Sequence, residues 1–219
     1  DRILATLSLR ADGSSKFAKQ NRYAIFPSFS LAWKINNEKF FRQLNYDWVN
    51  ALKLRAGWGQ IGNQNIGNYL FQSTLTSGAQ YRYLYGMPES IYQGVVAVGM
   101  ANDKIKWETS ESENFGLDIV LFKNLNIVTD YFIKTTKDML LMEPIPYHMG
   151  FETGPVTNVG SVRNKGIEFQ ISWKGSFSND FYHSIGANFS SINNKVLSLG
   201  TGKAIPGGSV CQKGYATLT

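Results

Sequence analysis

Polar and apolar residues alternate one by one through seven stretches of this chain. Successive side chains of an extended strand point to opposite faces, so each stretch reads as a strand with two unlike sides. In Ile3 to Arg10 one side carries Ile3, Ala5, Leu7 and Leu9, and the other Leu4, Thr6, Ser8 and Arg10. Tyr23 to Asn36 sets Tyr23, Ile25, Pro27, Phe29, Leu31, Trp33 and Ile35 against Ala24, Phe26, Ser28, Ser30, Ala32, Lys34 and Asn36. The third sets Leu52, Leu54, Ala56 and Trp58 against Lys53, Arg55, Gly57 and Gly59, and the fourth sets Phe115, Leu117, Ile119 and Leu121 against Asn114, Gly116, Asp118 and Val120. In the fifth, Leu125, Ile127, Tyr131 and Ile133 oppose Asn126, Asp130 and Lys134. The sixth opposes Ile167, Phe169, Ile171 and Trp173 to Glu168, Gln170, Ser172 and Lys174. The seventh opposes Phe181, Ile185, Ala187 and Phe189 to Tyr182, Ser184, Gly186, Asn188 and Ser190.

Every charge in these stretches lies on the second side: Arg10, Lys34, Lys53, Arg55, Asp118, Asp130, Lys134, Glu168 and Lys174. A charge on a lipid-facing strand costs about 2–4 kcal/mol at mid-bilayer, whereas a lumen position tolerates it. A soluble sandwich with one wet face also alternates. Its strands average about 5–6 residues, while several of these reach the roughly 9–11 that cross a bilayer. The pattern predicts an all-β chain, an antiparallel up-and-down segment of a transmembrane β-barrel with seven strands. Phe29, Leu31, Leu54, Leu117, Ile127, Phe169 and Ile185 are then expected to face lipid, and Trp33, Trp58 and Trp173 to sit in interfacial girdles.

The connections agree. Phe122-Lys123-Asn124 and Gly175 to Asp180 are hairpin turns. Ala11 to Arg22, Gly62 to Ile105 and Glu143 to Arg163 are long, and all fall at the opposite end. Outer-membrane barrels have short periplasmic turns and long extracellular loops, so 62–105 is expected to be an extracellular loop. Asn37 to Asn50 is long for the short end; its Phe40-Phe41 and Tyr46-Asp47-Trp48 suit an interfacial aromatic cluster.

Composition adds little that conflicts. Charged residues are 17% and aromatics 14%, against about 25% charged in soluble domains. No apolar run approaches the roughly 20 residues of a membrane helix. The net charge of +6 is spread without clusters, which disfavours nucleic acid as a partner. Cys211 is the single cysteine, so no internal disulfide forms. His148 and His183 share no metal-ligand spacing with it, no Gly-x-Ser-x-Gly elbow occurs, and Gly57, Gly59, Gly62 and Gly67 lack a following Gly-Lys-Ser/Thr. No enzyme, metal or cofactor is expected.

Several strings resemble the SusC/RagA branch of the TonB-dependent transporters of Bacteroidota. They are Asp12-Gly13-Ser14-Ser15-Lys16-Phe17; Phe26-Pro27-Ser28-Phe29-Ser30-Leu31-Ala32-Trp33; Leu52-Lys53-Leu54-Arg55-Ala56-Gly57-Trp58-Gly59; Gly62-Asn63-Gln64-Asn65-Ile66-Gly67; and Lys106-Trp107-Glu108-Thr109-Ser110. Thr136-Lys137-Asp138-Met139-Leu140-Leu141, Asn158 through Glu168, and Asn193 through Leu199 continue the series in order. The resemblance implies that residues 1–219 are part of an outer-membrane, multi-pass barrel of about 22 strands. The plug domain and terminal strands are not among these residues. It implies nutrient import of an oligosaccharide or peptide, with a SusD-like surface lipoprotein as lid and TonB acting through the absent plug. A passive porin and a soluble β-rich binding module are the rival readings.

Two groups carry candidate function. Tyr69, Tyr81, Tyr83, Tyr85 and Tyr92 of the long loop suit substrate or lid contact, and equally internal packing of the loop. Lys53, Arg55, Asp118, Asp130 and Glu168 either hold the plug by salt bridges or pair across neighbouring strands.

Overall fold

A computed structural model describes residues 1–44, 46–97, 99–151, 153–178 and 181–200. Cys211 and the Asn179-Asp180 part of the second short turn lie outside these. Among the described residues nine strands run in chain order: β1 (Ile3–Gly13), β2 (Tyr23–Lys34), β3 (Val49–Asn63), β4 (Leu75–Tyr85), β5 (Ser90–Ala97), β6 (Glu108–Leu121), β7 (Leu125–Met142), β8 (Val156–Ser178) and β9 (Phe181–Leu199). Seven form one sheet in the order β1-β2-β3-β6-β7-β8-β9, and β4 and β5 pair separately as a hairpin. Each strand of the large sheet pairs antiparallel with its neighbour. All seven alternating stretches form strands of this sheet in the expected up-and-down order, except that Ile35 and Asn36 at the end of the second fall in a 3-10 turn.

The strands are longer than the alternation marks. They span 11 residues in β1 and 23 in β8. The extra length lies mainly at the long-link end, where β3 runs to Asn63 and β8 starts at Val156. The link expected over 62–105 therefore covers 64–107, and it carries the β4–β5 hairpin rather than a plain loop.

Register places all the apolar sides on one face. A single row of cross-strand partners runs Ile3, Trp33, Leu54, Leu117, Thr129, Phe169, Phe189. Ile3 starts the apolar run of β1, whereas Phe189 ends that of β9 toward the long links. The apolar band thus crosses the register obliquely, sliding roughly seven residues along the strands between the two edges. At about 3.3 Å per residue and about 4.8 Å per strand this is a tilt of about 40°, within the roughly 35–45° of barrel strands.

No second sheet covers this face among the described residues. Ile185 is 69% exposed, Phe29 49%, Leu31 46%, Leu54 41% and Phe169 37%, while Leu117 and Ile127 are half-buried. A soluble sandwich would bury such a face against a partner sheet.

At the short end, Phe122 and Lys123 both take positive φ, 54° and 63°, and the Asn124 N–H donates to the Leu121 carbonyl at 3.1 Å. This is the primed turn whose twist suits a two-stranded ribbon. The 35–48 link contributes a short helix α1 (Lys39–Gln43) and an aromatic chain. Ring centroids lie 6.5 Å apart for Trp33–Phe40, 6.1 Å for Phe41–Tyr46, 6.0 Å for Tyr46–Trp48 and 6.1 Å for Trp48–Phe122. Beside it the Trp33 Nε1–H donates to Glu38 Oε1 at 3.0 Å, and Arg2 reaches the other oxygen at 3.3 Å. The indole hydrogen bond first, and then Arg2, hold the Glu38 carboxyl below its ordinary range.

Candidate functional site

The polar face carries an ion network across three strands. Lys53 Nζ lies 2.9 Å from Asp118 Oδ2. Arg55 grips the same carboxylate through Nε at 3.0 Å and Nη2 at 2.7 Å. Its Nη2 also reaches Asp130 Oδ2 on β7 at 3.1 Å. The guanidinium passes over Gly116, where a Cβ would stand 2.6 Å from it and 2.7 Å from Asp130 Oδ1. A glycine is required there for close approach. Four of the five charges singled out in the sequence therefore pair within the sheet, Lys53 and Arg55 with Asp118 on the adjacent strand and Arg55 with Asp130 one strand further. Glu168, the register partner of Asp130, forms no ion pair among the described residues.

At the long-link end the first two links lock together with β2, β7 and β8 around Trp107. Phe17 from the first link, Phe26 from β2, and Ile105 and Trp107 from the second link form a buried core, with Ile66, Leu70, Leu140 and Val156 against it. The Trp107 ring centroid is 5.1 Å from that of Phe17 and 5.7 Å from that of Phe26. Side chains then tie down backbone that forms no ladder. Lys16 Nζ donates to the Ile66 carbonyl at 2.9 Å, and Asn21 Nδ2 to the Ile105 carbonyl at 3.0 Å. Asn158 clamps two segments: its Nδ2 donates to the carbonyls of Lys106 and Asp138, both at 2.8 Å, and its Oδ1 accepts the Lys106 N–H at 2.9 Å. Lys106 Nζ pairs with Asp138 at 2.9 Å.

These are the residues of the strings quoted above. Asp12 to Phe17, Gly62 to Gly67, Lys106 to Ser110, Thr136 to Leu141 and the start of the Asn158 string meet at this core. Their meeting was not readable from spacing, because they come from separate links. What marked them in the sequence was their resemblance to SusC/RagA strings, not any alternation.

The β4–β5 hairpin projects from this platform. Tyr83 faces Tyr92 in register, and Leu84 faces Ile91 on the opposite side. The Tyr83 and Tyr92 rings stack at 6.0 Å, and Tyr85 meets Tyr92 edge-on at 6.1 Å. All three remain exposed, Tyr85 at 70%. Tyr81 is half-buried on β4. Tyr69 stands apart, outside the hairpin, against Phe71 at 6.3 Å. The structure thus gathers Tyr83, Tyr85 and Tyr92, and does not bring Tyr69 to them.

An uncovered apolar face, a self-paired polar face, tight turns at one end and interlocked links at the other define the wall of a membrane-spanning β-barrel. Residues 1–208 match the family model described as TonB dependent receptor-like, beta-barrel. TonB-dependent receptor P3 of Formosa agariphila is 37% identical over 202 residues, covering 92% of this chain and 19% of that protein. TonB-dependent receptor SusC of Bacteroides thetaiotaomicron is 34% identical over 203 residues, covering 91% of this chain and 20% of SusC. Among solved structures, the RagAB peptide importer in its closed-closed state superposes with a TM-score of 0.83 at 28% identity, over 99% of this chain and 23% of that one. The chain belongs to the TonB-dependent receptor β-barrel family, on its SusC and RagA side, and is part of an outer-membrane barrel. It spans about a fifth of the length of these curated relatives.

Proposed function

We propose that these residues form part of the barrel through which a TonB-dependent importer takes up an oligosaccharide or a peptide. A SusD-like lipoprotein covers its mouth, and TonB acts on a plug supplied from outside these residues. The apolar face, including Phe29, Leu31, Leu54, Leu117, Ile127, Phe169 and Ile185, contacts lipid. The long-link end is extracellular. The observation that carries this reading is the interlocked core around Trp107. Building such a platform to hold a tyrosine hairpin clear of the wall serves recognition at the mouth, where aromatic rings stack on sugars or pack against a protein lid. Likeness to a peptide importer supports the peptide class, and the oligosaccharide class rests on the family resemblance of the strings quoted above.

The test is uptake by cells carrying the full-length protein, offered labelled oligosaccharides and peptides. Uptake of one class is expected, and it should stop when a protonophore collapses the proton-motive force. Uptake that persists under the protonophore would make this a passive pore. Deleting Ala79 to Gln93 should weaken uptake or lid binding while the barrel still assembles. If both are unchanged, the hairpin only packs on itself.

A further inference from the structure

The polar–apolar boundary on the apolar face is not uniform around the wall. On β6, β7, β8 and β9 one row of register partners reads Glu113, Ile133, Lys165, Asn193. The next row toward the long links reads Glu111, Thr135, Arg163, Lys195. Lys165 comes two residues after the hydrophobic run of Trp173, Ile171, Phe169 and Ile167 ends, and so shares its face. Burial agrees: Val162 and Val196, which point the other way, are 7% and 0% exposed, whereas Arg163, Lys165 and Lys195 are all exposed.

Arg163 and Lys195 stand directly opposite each other, and like charges so placed destabilise a sheet. No acid compensates them. None of Arg163, Lys165 and Lys195 forms an ion pair among the described residues. Arg163 Nε donates only to Thr135 Oγ1, at 3.2 Å. The acids of the same rows, Glu111 and Glu113, are two strands away, about 10 Å, and Glu111 is already held by Lys137 and by Trp58 Nε1 at 2.8 Å. Three uncompensated cations and the Asn193 amide therefore cluster where an apolar membrane face ends.

The geometry points to a binding site for the phosphate of an outer-leaflet lipid headgroup. A fork-shaped guanidinium takes two phosphate oxygens, and flanking ammoniums add point charges. The hydrophobic run from Ile167 to Trp173 lies directly below to take the acyl chains. The inference rests on the reading of this face as lipid-facing and of the long-link end as extracellular.

Native mass spectrometry of the delipidated full-length transporter, offered phosphorylated lipid A, tests it. The wild type should retain this lipid, and the Arg163→Gln/Lys165→Gln/Lys195→Gln variant should bind it about a hundredfold more weakly, a tenfold loss for each one to two charges removed near a membrane surface. Phosphatase-treated lipid A should bind the wild type as weakly as the variant binds the intact lipid. Equal retention by both proteins, or of both lipids, would overturn the site. Full competition by inorganic phosphate would overturn the lipid as its source. If the triple variant does not assemble, Lys195→Gln alone should still lower retention, and no change would count against the site. A spin label on Ile185→Cys separates the two readings. Lipid-phase accessibility there with unaltered lipid A retention defeats only the phosphate site, while aqueous accessibility defeats the lipid-facing assignment as well.

Discussion

Leu31→Arg in the full-length protein is expected to reduce the assembled barrel sharply, by about 2–4 kcal/mol for an arginine near the midplane. Leu31 is 46% exposed on the apolar face, with Ala5 and Ala56 as register partners on its two sides. No acid stands in those positions to receive a guanidinium. Ser30, one residue away, points to the face that carries Lys53, Arg55 and Asp118, so Ser30→Arg should cost distinctly less. The heat-modifiable fraction in isolated outer membranes reads this directly. Equal assembly of the two variants would mean that Leu31 does not meet lipid.

Trp107→Ala should free the second long link without dissolving the sheet. The indole is 7% exposed, stacks near Phe17 and Phe26, and donates to the Arg22 carbonyl at 3.4 Å. Truncating a buried tryptophan costs about 3–5 kcal/mol. Here the loss falls on a local core rather than on the ladder of β1 to β9. The expected result is rapid protease nicking within 64–107 on intact cells, with the barrel still resistant to detergent at room temperature. Trp107→Phe should recover part of the protection, because it keeps an aromatic ring in the core while losing the hydrogen bond and some of the packed volume. Unchanged nicking in Trp107→Ala would mean that the core does not hold the link.

The seven wall strands were legible because a membrane barrel keeps lipid and lumen on opposite sides of every strand, and period-2 alternation records that contrast. Toward the long links the contrast fades, the formerly apolar side turning to Lys165 and Arg163 and the other side carrying the buried Val162, while the backbone ladder continues. This is why the alternation stopped at Ile167 although β8 begins at Val156. The β4–β5 hairpin was hidden for the opposite reason. Both its sides carry large side chains, Tyr83 and Tyr92 on one and Leu84 and Ile91 beside the Arg82–Gln93 pair on the other, so neither side is polar throughout. The partners of Arg55 were half legible: its charge side could be read, but its choice of Asp118 and Asp130 needs register and the space over Gly116. The core around Trp107 was legible only as separate strings, since their convergence is long-range.

The two ends of the wall differ in how far apart in sequence their contacts lie, and this bears on the order in which they form. Leu121 meets Leu125 across a three-residue turn. Phe17 and Val156, by contrast, share one core across more than half of the described chain. Closing long loops must precede any gain from such contacts, so distant pairings form late. Adjacent hairpins are therefore expected to zip first from the tight-turn end, and the mouth to set last, which pulse proteolysis during refolding would see as late protection of 64–107. An assembly machine that receives this chain would thus handle a nearly complete wall whose long-link end is still unmade.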